Sequence, residues 1–124
     1  MREAIDEQFF ARLTALNDRF AGDVPAMLAR LSDARVRFDA AAPDPALAEE
    51  LRAVLHTMAG SAATFGYRVL GQQARALEQR LGVLTVFDAV GEADWLAWFA
   101  GLDAFVAWAR RDPKAAYYIG ELSD

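Results

Sequence analysis

Leu47, Leu51, Val54, Leu55, Met58, Ala62 and Phe65 recur at the period of an α-helix and fall on one stripe roughly 100° wide. The same period runs through nearly all of the chain, and no alternating strand pattern of useful length appears. Val83-Leu84-Thr85-Val86-Phe87 is the one β-leaning stretch, and it reads as a connector carrying buried side chains. A first helix is expected over Asp6 to about Phe20, with Phe9, Phe10, Leu13, Leu16 and Phe20 inward and Gly22-Asp23 breaking it. Asp23 then caps a second helix with Pro25 in its first turn, carrying Val24, Met27, Leu28, Leu31, Val36 and Phe38. Asp44-Pro45 repeats that signature ahead of a third helix to Thr64, which Gly66 ends. A fourth helix covers Tyr67 to Leu81 and closes at Gly82, and a last one runs from Glu92 to Arg111, before Pro113. Tyr117, Tyr118 and Ile119 either fold back onto the body or fray. Short loops and one-sided helices favour an all-α fold, an antiparallel four-helix bundle with an additional N-terminal helix. The 124 residues suffice for a single domain, 1–124, with one core.

His56 is the only histidine, and it lies on the third helix roughly opposite its apolar stripe. Arg52, Ala59, Gly60 and Ala63 share that outward face. The imidazole is therefore expected to meet solvent among residues too short to obstruct a large visitor. Glycine inside a helix costs about 1 kcal/mol relative to alanine, so Gly60, one turn beyond His56, wants a reason. Access to the imidazole is one, because a neutral imidazole is a nucleophile at physiological pH. Ser61 and Thr64 read as helix packers or back-bonded hydroxyls.

Several function classes fall away. A net charge of −5 argues against a nucleic-acid partner, which needs a basic footprint. With no cysteine and one histidine there is no credible transition-metal ligand set, and no glycine-rich phosphate loop is present. No signal-peptide core and no membrane span is apparent, so no membrane association and a cytoplasmic location are expected. The start at Met1 and the acidic tail favour a stand-alone protein. The last helix, with Trp95, Leu96, Trp98, Phe99, Leu102, Phe105, Val106 and Trp108 around Asp103, reads first as the element that closes the bundle. Oligomerisation through this Trp-rich helix is the next reading.

The run His56-Thr57-Met58-Ala59-Gly60-Ser61-Ala62-Ala63-Thr64-Phe65-Gly66, with glycine four residues after histidine, resembles the histidine-containing phosphotransfer (HPt) domain family. Members are four-helix bundles of bacterial phosphorelays and of the N-terminal domain of chemotaxis kinases. The resemblance implies that His56 accepts a phosphoryl group on Nε2 from a histidine kinase or a receiver-domain aspartyl phosphate. It implies that Glu78, on the following helix, accepts a hydrogen bond from Nδ1 and orients the ring; periodicity alone does not nominate Glu78. It implies too that Gly60 gives access. No cofactor of the chain's own is implied, magnesium belonging to the partner receiver domain of a response regulator. One departure stands out: the family carries lysine three residues after the histidine, where this chain has Ala59. Arg75 or Arg52 is the candidate replacement for that charge. The competing reading is a degenerate bundle that binds and sequesters a receiver or kinase without efficient transfer, Ala59 being the sign of decay.

Overall fold

The computed structural model describes residues 2–87 and 89–118, with side chains from Asp6 onward. Among them are four α-helices and no strand: α1 (Arg2–Arg37), α2 (Pro45–Ala62), α3 (Arg68–Val86) and α4 (Glu92–Arg111), with a single 3₁₀ turn (Ala63–Phe65) after α2. Each helix packs on the next and α4 returns to α1, which closes an all-α bundle. Ile119 lies outside the described residues.

The expected break at Gly22-Asp23 does not occur, and the two N-terminal segments form one helix with Pro25 inside it. A proline in a helix interior removes a backbone hydrogen bond and costs about 3 kcal/mol. Here the apolar period runs straight through it: Phe20, Val24, Met27, Leu28, Leu31 and Ala34 are all buried while Pro25 stays outside. Burial of one continuous stripe against the bundle outweighs the local defect. Asp23 accordingly caps nothing. The first half of α1 runs past the other helices, so Phe9, Phe10 (62 % exposed) and Leu16 are not core residues as their spacing suggested. Val36, expected inward, is 83 % exposed. Phe20 marks where the bundle begins, its ring against Phe65 and Tyr67 with centroids 5.4 and 5.0 Å apart.

α2 starts where its cap signature places it, with Asp44 Oδ1 accepting from the Ala46 amide at 2.9 Å. Its C-terminal end is a Schellman turn. The Tyr67 amide donates to Ala62 O, the Gly66 amide donates to Ala63 O, and Gly66 takes the left-handed φ of 87° that suits glycine. α3 runs through Gly82 to Val86, so the expected connector is largely its last turn. Val83, Val86 and Phe87 are exposed instead of buried, and only Leu84 is partly covered.

α4 closes the bundle. Trp95, Trp98, Phe99, Leu102, Phe105 and Trp108 are buried, and Trp98 Nε1 donates to Leu77 O at 3.0 Å. Leu96 alone of its large apolar residues is exposed, so this helix offers little surface to a second copy. Asp103 interrupts the apolar run because it pairs with Arg35 of α1 at 3.3 Å. The chain after α4 folds back as far as Tyr118, whose ring meets Trp108 edge-on.

Candidate functional site

Packing of Val54, Leu55 and Met58 into the core fixes the rotation of α2, and His56, between them, is turned outward. Its side chain is 67 % exposed. Across the α2–α3 seam, Glu78 Oε2 lies 2.8 Å from His56 Nδ1. A carboxylate only accepts, so in the neutral ring Nδ1 carries the proton and Nε2 keeps its lone pair. The Glu78 side chain is 18 % exposed, shielded enough by the seam to hold one geometry.

Arg52, one turn before His56, bridges two acids. Its Nη2 and Nε donate to Glu49 at 2.6 and 2.8 Å, and its Nη1 stands 3.6 Å from the same Glu78 oxygen that meets the ring. The hydrogen bonds from Arg52 hold the Glu49 carboxyl below its ordinary range, and Glu49 in turn holds the Arg52 guanidinium above its own. The structure thus gathers His56, Glu78 and Arg52 at one place. Arg75 is not part of that chain of contacts. It is exposed, and among the described residues it has no ion pair or hydrogen bond. It lines a groove of about 290 Å³ between α2 and α3 with Ala59, Ala63, Arg68, Gly71 and Gln72.

The expectation for Ala59 needs correction. It does not share the open face of His56; it is 6 % exposed, on the side of α2 that approaches α3. Gly71 permits that approach. A Cβ there would stand 3.1 Å from Ala62 Cβ, tighter than ordinary contact, and 3.6 Å from the Ala59 carbonyl oxygen, so a side chain at position 71 would press on α2. Spacing on one helix cannot reveal a close approach by another, so the sequence carries no sign of the part Gly71 plays. Gly60 is the reverse case: a Cβ added there would meet nothing within 4 Å. No contact among the described residues asks for glycine at that position.

A hollow of about 410 Å³ between α3 and α4, lined by Leu77, Arg80, Val83 and Trp98, holds none of these side chains. Among the described residues no three His, Asp or Glu side chains are grouped so as to hold a metal ion. No described helix is long and apolar enough to cross a membrane.

The family model described as Hpt domain matches residues 15–110 of the chain. Comparisons with curated proteins and with solved structures return no match.

Proposed function

The chain belongs to the Hpt domain family, whose members carry out histidine phosphotransfer in two-component phosphorelays, and from that membership we propose that His56 is its phosphoacceptor. The observation that supports this reading most is the pairing of an exposed ring with a shielded carboxylate on Nδ1. In the reaction, the Nε2 lone pair attacks the phosphorus of an aspartyl phosphate on a receiver domain, or of a phosphoryl group offered by a kinase. The N–P bond forms as the P–O bond to the donor breaks, and the leaving oxygen keeps the electron pair. No proton need leave the ring. With Nδ1–H retained, the imidazole becomes positively charged, and the Glu78 carboxylate beside it offsets that charge. Return of the phosphoryl group to a second receiver reverses these steps.

Glu78 orients the imidazole, and Gly60 leaves clearance for the partner's surface; the empty space over its Cα supports that role. In-line phosphoryl transfer depends chiefly on positioning and charge, so magnesium, on this reading, arrives with the receiver domain. The cytoplasm is where such partners would be met. Which partner donates and which accepts is set by the partners' own chemistry.

The test is transfer from a phosphorylated receiver to the purified chain, followed as acid-labile, alkali-stable label, with His56→Gln as control. Label on the wild type and none on the variant is the expected result. Label on both would remove His56 from the role. Tight receiver binding with no label on either would favour a sequestering bundle instead.

A further inference from the structure

The charges around His56 leave the site short of a cation. Glu78 and Glu49 bring two carboxylates, and Arg52 brings one guanidinium already held by both of them. A phosphoryl group on Nε2 adds two negative charges, of which the ring, keeping its Nδ1 proton, balances one. Turning Arg52 toward the phosphoryl group would strip Glu49 of its partner and loosen the anchor of Glu78. A second positive group is needed that is near the ring and not already engaged.

Arg75 meets both conditions. It stands one turn before Glu78 on α3, where residues three apart have Cβ atoms about 5–6 Å apart. It lines the same groove as Ala59, which stands one turn beyond His56 on α2. Arg75 therefore faces the slot next to the imidazole from the opposite side of the seam. The small side chains of Ala59 and Ala63 and the bare Gly71 keep that slot open, and no carboxylate among the described residues claims the guanidinium. Arg68 lines the far end of the same groove, so the groove is lined by two arginines and no acid.

We propose that Arg75 is the catalytic cation of this site, its guanidinium binding the phosphoryl oxygens as the group passes to and from His56. This rests on the phosphotransfer reading above. The planar guanidinium suits two phosphoryl oxygens at once, and it offsets their charge while Arg52 stays with its acids. The consequence is that the site's positive charge comes from α3 and not from the helix that carries the histidine.

The experiment compares transfer rates from a phosphorylated receiver for the wild type, Arg75→Ala, Arg75→Ala with Ala59→Lys, and His56→Gln. Arg75→Ala is expected to slow transfer by about 10–100-fold, acting on kcat more than on KM. Ala59→Lys in that background puts a cation at the same slot from the other side and is expected to recover most of the loss. Millimolar guanidinium ion added to Arg75→Ala should recover part of it and do nothing for His56→Gln, a check that holds even where the double variant does not fold. A folded Arg75→Ala that transfers at the wild-type rate overturns the proposal, as does a loss that neither the lysine nor guanidinium relieves. An unlabelled wild type overturns the phosphotransfer reading itself, and this proposal with it; label on the wild type with a normal Arg75→Ala overturns this proposal alone.

Discussion

The Glu78 carboxylate meets His56 Nδ1 at 2.8 Å from the shielded side of the α2–α3 seam, while the ring itself is largely open to solvent. The imidazole is gripped from within and free on its outer edge. Nothing on α2 alone provides this; the contact joins residues 22 positions apart in the chain. Its worth can be read from variants that change the acceptor without changing the fold.

Glu78→Ala is expected to lower the transfer rate by about tenfold to a hundredfold, since a hydrogen bond to a charged group contributes about 1.5–3 kcal/mol. Glu78→Gln keeps an acceptor and loses the charge, and should fall between wild type and alanine. Nitrogen chemical shifts of the imidazole report the cause directly: the alanine variant should show a mixture of ring tautomers where the wild type shows one. Wild-type rates in Glu78→Ala would mean that the carboxylate does not orient the ring.

Gly60 should separate stability from activity. Gly60→Ala introduces a methyl group that meets nothing and removes backbone freedom from the unfolded chain, so thermal unfolding should rise by an amount equal to about 0.5–1 kcal/mol. Gly60→Leu should fold equally well and yet accept label from a receiver much more slowly. A leucine variant with wild-type transfer would show that no partner surface comes close to this turn.

Gly71 should behave in the opposite way. Gly71→Leu forces a side chain into the place where α2 and α3 touch, and overpacking of this kind costs about 1–3 kcal/mol. Because His56 and Glu78 sit on the two helices being pushed apart, transfer should fall along with stability. Urea unfolding and transfer assays on the same sample measure both.

The pair formed by Glu49 and Arg52 predicts a pH dependence of known sign. The Glu49 carboxyl is held below its ordinary value by the Arg52 hydrogen bonds. A group depressed in the folded state adds stability above its unfolded value and loses that contribution as pH falls through its folded value. The urea midpoint should therefore decline on the acid side of the ordinary carboxylate range, and Glu49→Gln should make that decline shallower. Both side chains are well exposed, so the difference should also shrink in high salt.

The first half of α1 should tolerate polar change. Phe9→Ser with Phe10→Ser removes two exposed rings and should leave the unfolding midpoint within the small range of surface substitutions, about 0.5 kcal/mol. Phe99→Ala, in the centre of the core, should cost about 3–5 kcal/mol in the same assay.

What the chain's residue order determined alone is local. The helical period, the Asp44-Pro45 start of α2, the Gly66 stop and the outward direction of His56 follow from spacing and from the backbone preferences of a few neighbours. These are set within one or two turns, so no knowledge of the rest of the molecule is required. The fate of Gly22-Asp23 and Pro25 is different: a defect that ends an isolated helix is carried when the stripe on either side is buried in the same bundle. Exposure of Phe9, Phe10 and Val36 and burial of Ala59 likewise depend on where the other three helices lie. The contact between His56 and Glu78, the engagement of Arg52 and the lack of a partner for Arg75 among the described residues arise only when α2 and α3 pack in one register. That register is settled by the summed packing of the entire core, a quantity that no single helix encodes.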